Sequence, residues 1–415
     1  MTPPPGSKVR SIVRACNLIS RMSRTRPGAL PSEAMYYDLL GGYFNRLLEA
    51  EKNGDFIAAH TVFFPAELIY SLGLVPMHTE MTTWMASLFT GESSAILEAG
   101  ATLGLATEIC TPHRGLAGAF ATKVVPRPSV VLWSNMVCDN TAKSGELLME
   151  LAGCPGHFID HPFKDSPEEK QYLKEELSDL VGFLEEQSGK KMDWQLLADT
   201  VARMDRQIEL VREINELRKS TPSPLRPRGF LELLMVDYLF PGQPEAIEYL
   251  EALKRDLTDM VAAGRGAVSN ERFRLMTLFI PPMYLMAFLD AIYEEFGATS
   301  VIEPFFTYWG EGRLDPADPL AAVAEKSYML PEARMYGPLD ERALSAVTDC
   351  ATEYRVDGAV YYADVACRQS CAMIKLFKDR LSEIDVPTLT LDCDIVDPTI
   401  TSREEVREKM ERFFE

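Results

Sequence analysis

Short apolar runs alternate with amphipathic segments along most of this chain, and this alternation is the strongest constraint on its fold. In the first half, PSVVLWSN (128–135) precedes the amphipathic AKSGELLMELAG (142–153), which in turn precedes GHFIDHP (156–162). In the second half, GAVYYAD (358–364) and PTLTLDCDIVD (387–397) lie on either side of another helical segment. Strands that alternate with helices form a parallel sheet with helices on both faces. We therefore predict α/β architecture with two doubly wound parallel sheets, one in each half.

Chain length predicts more than one domain. The 415 residues exceed what one hydrophobic core usually serves, and the composition, 47% hydrophobic and 25% charged, is ordinary for a globular enzyme. An acidic stretch with leucines at helical spacing follows the first βα region, and the loop TPSPLRPRG (221–229) interrupts it. The expected division is an N-terminal tail and helix at 1–50, a first α/β domain at 51–165, a helical connector region at 166–265 and a second α/β domain at 266–415.

Charge and hydropathy exclude several classes of protein. A net charge of −20 argues against nucleic-acid binding and against an anionic membrane surface, because both need clustered Lys and Arg. No apolar stretch reaches the roughly 18–20 residues that span a bilayer, and the N-terminus lacks the apolar core of a secretory signal. Residues 1–30 are basic, which favours a frayed tail or a partner-docking arm over an organelle signal. We expect a cytoplasmic protein.

Three cysteines each begin a polar turn after an apolar run: Cys110 in EICTPHRG, Cys138 in SNMVCDNTAK and Cys367 in GAVYYADVACRQS. Eight unevenly spaced cysteines in so long a chain do not indicate a disulfide framework. In open α/β sheets, ligands bind beyond the carboxyl ends of the strands, so distant positions of this kind can converge. Three converging thiolates suit an iron–sulfur cluster in which one iron remains available to a substrate.

The chain as a whole resembles the 2-hydroxyacyl-CoA dehydratase and benzoyl-CoA reductase family of oxygen-sensitive iron–sulfur proteins, as a substrate-binding-type subunit. The similarity runs from about Gly54 to the C-terminus. Besides the three cysteine contexts, it rests on the blocks FFPAELIYSLGLVP, TPSPL, RFRLMTLFIPP, VDGAVYYADVAC and DCDIVDPTITS…VREKMERFF. The resemblance implies two flavodoxin-like domains with a [4Fe–4S] cluster between them, held by Cys110, Cys138 and Cys367. It also implies a heterodimer with a related second subunit, and a separate ATP-dependent iron–sulfur activator protein.

The resemblance further implies radical chemistry on an acyl-CoA substrate. In an (R)-2-hydroxyacyl-CoA the carbonyl does not acidify the β-hydrogen, so direct loss of water is very difficult. One electron added to the thioester carbonyl gives a ketyl radical, which expels the 2-hydroxyl and acidifies the β-hydrogen, so that a 2-enoyl-CoA forms and the electron is recovered. Two alternatives remain open: a benzoyl-CoA-reductase-type subunit that reduces an aromatic acyl-CoA, and a non-catalytic companion or electron-transfer subunit.

Glu80 is the candidate for acid–base or substrate-orienting work. It follows the apolar block LGLVPMH, where substrate-active subunits of the family carry a glutamate. A carboxyl at a buried strand end can have a raised pKa and exchange protons near neutrality, whereas a solvated carboxylate, or one in the N-cap region of a helix, would have no such role. Some dehydratases of the family have a serine shortly before the FFP block. Val62 occupies that position here, which moves the expected hydroxyl contact to Thr61, with His60 beside it as a further catalytic candidate or a core imidazole.

The remaining cysteines have simpler interpretations. Cys371 lies four residues after Cys367, so on a helix both thiols share one face, and an exchange of ligand between them is an alternative. Four others are expected to be packing or surface residues: Cys16, Cys154, Cys350 and Cys393. His113 is expected either near the cluster, behind its ligands, or exposed.

Overall fold

Two four-stranded sheets carry the fold, and every strand pairing in them is parallel. The computed structural model describes residues 7–90, 93–336 and 341–415. The chain divides into two units. The first falls within Met1–Ile208, Met235–Leu250 and Glu311–Met329, and the second within Glu209–Leu234, Glu251–Gly310 and Leu330–Glu415. Each unit contains one sheet and part of the helical region, and the four-part division expected from the sequence stays a prediction.

The N-terminal half contains the first sheet and its helices. Its elements are α1 (Ser7–Thr25), α2 (Pro31–Asn53), β1 (Ile57–His60), α3 (Ala66–Ser71), β2 (Val75–His78), α4 (Thr79–Thr90), α5 (Ser93–Thr102), α6 (Thr111–Ala121), β3 (Val130–Ser134), α7 (Asp139–Ala152), β4 (Gly156–Ile159) and α8 (Pro167–Ser188). β3 is buried along its whole length, as expected for a run of β-branched and aromatic residues at the centre of a parallel sheet. α7 ends at Gly153, which adopts a left-handed conformation with φ 60°.

The helical region and the second sheet follow. Their elements are α9 (Trp194–Arg218), α10 (Gly229–Leu239), α11 (Pro244–Ala262), β5 (Phe273–Leu278), a 3₁₀ turn (Met283–Leu285), α12 (Met286–Phe296), β6 (Ala298–Ile302), α13 (Pro319–Met329), α14 (Pro331–Tyr336), α15 (Glu341–Glu353), β7 (Gly358–Asp364), α16 (Arg368–Ser382), β8 (Thr388–Cys393) and α17 (Arg403–Phe414). α12 and α17 bury their apolar faces in the core of the second sheet, beside β7 and β8. The acidic stretch after residue 166 is helical, as predicted.

Both sheets have the same strand order. The first is β2-β1-β3-β4 and the second is β6-β5-β7-β8, so in each the second strand lies outside the first. This is the flavodoxin-like arrangement, in which the strand order reverses between the first and third strands. Ligands bind beyond the carboxyl ends of the strands at this reversal. The predicted α/β class with two doubly wound parallel sheets is confirmed, and Cys138 and Cys367 each follow the third strand of their own sheet.

Some element boundaries differ from the expectation. The composition of the apolar run TVFFP predicts a strand that breaks at Pro65, but the run forms a turn: Phe63 has φ 63° and the pairing of β1 ends at His60. The basic N-terminal segment, expected to be a frayed tail or a partner-docking arm, contains α1, whose residues Val9, Ile12 and Cys16 are buried at helical spacing. A frayed tail is therefore wrong for the residues of α1, and a docking role stays a prediction. The segment ESSAILEAGATLGLATEI (92–109) predicts one helix that ends at Cys110, but the helix found there, α5, ends at Thr102. The first residue of the segment, Glu92, lies outside the described residues.

Small residues on α6 explain why that helix has no strong apolar signature. A Cβ atom on Gly118 would lie 2.0 Å from the backbone oxygen of Ile96, so α5 and α6 touch through their backbones. Within the described ranges, no helix is both long enough and apolar enough to cross a bilayer.

Candidate active site in the first unit

Each of the three predicted ligand cysteines is the N-cap residue of a helix. Cys110 precedes α6, Cys138 precedes α7 and Cys367 precedes α16, and all three are partly exposed. A helix N-terminus carries partial positive charge and favours a thiolate. Cys16, Cys350 and Cys393 are instead fully buried, and Cys154 lies at the end of α7.

Local contacts hold the Cys138 turn in place. The hydroxyl of Thr141 donates to the backbone oxygens of Ser134 and Cys138, at 2.6 Å in each case, and so ties the first turn of α7 to the end of β3. Val137, directly before Cys138, has φ 61°. A β-branched residue rarely adopts this conformation, and strain of this kind concentrates at functional turns.

Glu80 is the centre of a buried polar cluster in the first unit, defined here as the Glu80 cluster: His60, His78, Glu80, His113 and Cys138. Glu80 lies in the first turn of α4 and is only 3% exposed, so the solvated alternative is excluded. Its Oε2 accepts the Thr79 hydroxyl at 2.8 Å and lies 3.5 Å from Nδ1 of His78. Its Oε1 lies 3.9 Å from Nδ1 of His113 and accepts no hydrogen bond from the described residues.

Burial controls the protonation of this cluster. It raises the pKa of Glu80 to about 7, although the Thr79 hydroxyl and two backbone N–H groups act in the opposite direction. The pKa of His113 falls to about 4 and that of His78 falls well below its usual value, also because of burial. Both imidazoles are therefore neutral near pH 7 and give the carboxylate no positive charge. Glu80 can consequently gain or lose a proton close to neutrality.

The other two predicted catalytic residues lie at the end of β1. His60 pairs in register with His78 on β2, and the two rings are 5.0 Å apart. The Thr79 hydroxyl lies 2.9 Å from the backbone oxygen of His60 and so links β1 to Glu80. Nδ1 of His60 contacts the backbone oxygen of Thr61 at 3.1 Å, and burial lowers the pKa of His60 to about 4. Thr61 is fully buried, and its hydroxyl has no hydrogen-bond partner among the described side chains and backbone.

His113 connects this carboxyl to a predicted metal ligand. Its Nε2 lies 3.7 Å from Sγ of Cys138, and its Nδ1 lies 2.8 Å from Oγ of Ser144. Its own backbone N–H donates to the carbonyl of Cys110, so the N-termini of α6 and α7 are adjacent. Burial raises the pKa of the Cys138 thiol to about 11, with a smaller contribution from the charge of Glu80. A metal ion would displace that proton, since thiolate is the form that binds metals.

Sequence reasoning named Glu80, His60 and Thr61 as catalytic candidates, and their roles stay a prediction. It missed His78, Thr79 and Ser144, which contact the same cluster. His78 and Thr79 directly precede Glu80, and only the start of α4 at Thr79 shows that they turn inward with it. Ser144 could not be found, because its partner is 31 residues away.

The third predicted ligand belongs to the second unit. Cys367 follows β7, and its N–H donates to the carbonyl of Asp364 at 2.9 Å. The thiol of Cys371 donates to the same carbonyl at 3.1 Å, so both cysteines lie near one strand end. Among residues 7–90, 93–336 and 341–415, no group of three or more His, Cys, Asp or Glu side chains is arranged as a metal site. The convergence of Cys367 with the other two cysteines therefore stays a prediction.

Several known proteins are similar to this chain over most of its length. The family model described as "2-hydroxyglutaryl-CoA dehydratase, D-component" matches residues 61–415. One of the benzoyl-CoA reductase subunits of Thauera aromatica is 22% identical over 425 residues, which cover 95% of this chain and 96% of the relative. The (R)-phenyllactyl-CoA dehydratase alpha subunit of Clostridium sporogenes is 24% identical over 367 residues, which cover 85% and 87% of the two chains.

Proposed function

Because this chain belongs to the 2-hydroxyglutaryl-CoA dehydratase, D-component, family, we propose that it is the iron–sulfur subunit of a radical 2-hydroxyacyl-CoA dehydratase. It would remove water from an (R)-2-hydroxyacyl-CoA to give a 2-enoyl-CoA. The observation that carries the proposal is the Glu80 cluster, which places a carboxyl with a pKa of about 7 and a metal-competent thiol on opposite sides of one histidine.

The donor set suits a [4Fe–4S] cluster. Cys110 and Cys138 cap adjacent helices of the first unit. Cys367 caps the helix after the third strand of the second sheet, as Cys138 does after the third strand of the first. Such clusters are held by cysteine thiolates, and a set of three leaves one iron without a protein ligand. When bound, the cluster would supply the low-potential electron that converts the thioester carbonyl to a ketyl radical.

The chain's own residues would move the proton and orient the substrate. Glu80 Oε1 is the proton acceptor, because it is the oxygen without a hydrogen bond from the described residues. The 2-hydroxyl leaves as hydroxide, Oε1 then takes the β-hydrogen as a proton, and hydroxide and proton make water with no net consumption of electrons. The Thr61 hydroxyl contacts the departing 2-hydroxyl, and His60 positions Thr61 through its backbone oxygen. Burial of the Glu80 cluster excludes bulk water from these steps.

Partners follow from the same family membership. We propose that the chain pairs with a related second subunit in a heterodimer, since both relatives are named as single subunits of larger enzymes. A separate ATP-dependent iron–sulfur activator protein would deliver the electron.

Anaerobic reconstitution tests the cluster. The wild-type chain should bind four irons and four sulfides, as a [4Fe–4S] cluster requires. Serine at Cys110, Cys138 or Cys367 should lower both, whereas the matched control Cys154→Ser should not. Cys371→Ser decides whether that thiol replaces Cys367. Iron content that is unaffected by all three ligand substitutions would overturn the cluster assignment.

A second candidate function is reduction of an aromatic acyl-CoA. It is favoured by one observation: the benzoyl-CoA reductase polypeptide of Thauera aromatica aligns with 95% of this chain. The reconstituted heterodimer with its activator should be offered 2-hydroxyacyl-CoA and aromatic acyl-CoA esters in parallel. Water elimination supports the first function and ring reduction the second. Reversible cluster reduction with turnover of neither would indicate a companion or electron-transfer subunit.

A further inference from the structure

One buried side chain touches the turns of both predicted ligand cysteines of the first unit. His113 occupies the third position of α6, where its N–H donates to the carbonyl of Cys110 at 3.0 Å. Its ring extends to the other turn, with Nε2 3.7 Å from Sγ of Cys138. The opposite ring nitrogen, Nδ1, lies 2.8 Å from Oγ of Ser144, six residues into α7. His113 is 4% exposed, so these contacts are shielded from water.

The tautomer of His113 follows from its two neighbours. The ring is buried, and a neutral imidazole has a single N–H, on one nitrogen or the other. A metal-bound thiolate has no proton and can only accept a hydrogen bond. An attractive contact with that sulfur therefore requires the proton on Nε2, and Nδ1 must then accept. Ser144 can donate its hydroxyl hydrogen to Nδ1, whereas Oε1 of Glu80 lies 3.9 Å away, beyond hydrogen-bond distance.

We propose that His113 is a positioning residue for the cluster: it donates a hydrogen bond from Nε2 to the metal-bound sulfur of Cys138, and Ser144 fixes the tautomer that makes this possible. The inference rests on the proposed function, because it needs Cys138 as a ligand. Hydrogen bonds to the ligand sulfurs are among the features that set the reduction potential of an iron–sulfur cluster. Removing the hydrogen bond from His113 destabilises the reduced iron–sulfur cluster, which is the more negative form, and so lowers the reduction potential.

The alternative is a histidine that only packs between α6 and α7. In that case the ring contributes shape and a bond to Ser144, and its removal affects folding but not the electronic state of the cluster. The two interpretations differ in a spectroscopic signature. Only the first adds an imidazole proton to the exchangeable backbone protons of Asn140 and Thr141 that already contact the sulfur of Cys138.

The experiment uses the anaerobically reconstituted chain in wild-type and variant forms. His113→Leu should lower the reduction equilibrium constant of the cluster about tenfold, which is about 59 mV for a one-electron couple. His113→Gln, which keeps an N–H near the position of Nε2, should recover part of that shift. Ser144→Ala should give an intermediate shift. In the reduced wild type, electron–nuclear double resonance should show a proton coupling that disappears in D₂O and is absent from His113→Leu.

Controls separate this inference from the function on which it rests. His157→Leu, a matched substitution on β4 against Phe183, should leave the potential unchanged. If the wild type binds four irons and the His113→Leu variant has the same reduction potential as the wild type, the inference is overturned and the proposed function stays intact. A wild type without a cluster would overturn both. If His113→Leu does not fold, Ser144→Ala decides: an unchanged potential and an unchanged proton coupling also refute the inference.

Discussion

Replacing Glu80 with glutamine should make the protein more stable at alkaline pH than the wild type. Burial raises the pKa of this carboxyl from 4.5 to about 7, so between these values the folded chain binds a proton that the unfolded chain has released. The stability that Glu80 contributes is complete below about pH 4.5 and is lost as the pH rises through 7. One pKa unit corresponds to about 1.36 kcal/mol, so the full difference is roughly 3 kcal/mol.

The substitution isolates this effect because glutamine has nearly the same shape and can still accept the Thr79 hydroxyl. Wild type and Glu80→Gln should be unfolded with urea across pH 5 to 8.5, followed by tryptophan fluorescence, for which Trp84 on the same helix is a buried reporter. As the pH rises across this range, the unfolding free energy of Glu80→Gln minus that of the wild type should increase by roughly 3 kcal/mol. Glu98→Gln, at an exposed position of α5, is the control for loss of charge. Parallel curves for wild type and Glu80→Gln would refute the reasoning.

Three further substitutions test packing, a buried ion pair and a helix cap elsewhere in the fold. Gly145→Ala places a Cβ 2.1 Å from Cγ of Trp133, so α7 must shift away from β3. Urea unfolding should show a loss of about 1–3 kcal/mol in the free energy of unfolding. The control Gly182→Ala, on the open face of α8, should not be destabilising. Arg218→Met leaves the fully buried Glu303 carboxylate without its ion-pair partner and should lower the free energy of unfolding by about 3–5 kcal/mol. The double variant Arg218→Met with Glu303→Gln should largely recover this loss. Ser166 is the N-cap of α8, and its hydroxyl oxygen accepts a hydrogen bond from the N–H of Glu169. Ser166→Ala should lower the thermal midpoint by an amount that corresponds to about 1 kcal/mol of stability. Ser166→Asp, which also caps a helix, should restore it.

Regular hydrophobic patterns identified most of the fold, and local chain geometry explains the differences. β3, β5 and β7 are buried apolar runs bounded by polar turns, so both their positions and their parallel pairing followed from the sequence. The run TVFFP has the same composition as a strand, but a positive φ at Phe63 ends the pairing. Composition does not encode such a turn. α6 escaped recognition for the opposite reason, because its glycines allow close backbone contact instead of an apolar stripe.

The candidate site was predictable one residue at a time and not as a cluster. Glu80 and Cys138 were identified from the segments around them. Their link through His113 joins side chains 25 and 33 positions apart, and no periodicity in the sequence relates those positions. What the sequence does carry is the position of each residue relative to a strand end, and the parallel sheet converts this into proximity.

A difference between the two sheets supports our proposal of acid–base chemistry in the first unit. In each, a buried glutamate follows the second strand: Glu80 comes two residues after β2, and Glu303 directly follows β6. Glu303 is paired with the guanidinium of Arg218 at 2.7 Å and accepts the Ser300 hydroxyl at 2.5 Å. An arginine remains charged at every physiological pH, so this pair is structural. The basic side chains that the described residues place beside Glu80 are the neutral imidazoles of His78 and His113. Because neither is a permanent cation that would hold its charge, Glu80 is the carboxyl of the two that can exchange a proton near pH 7.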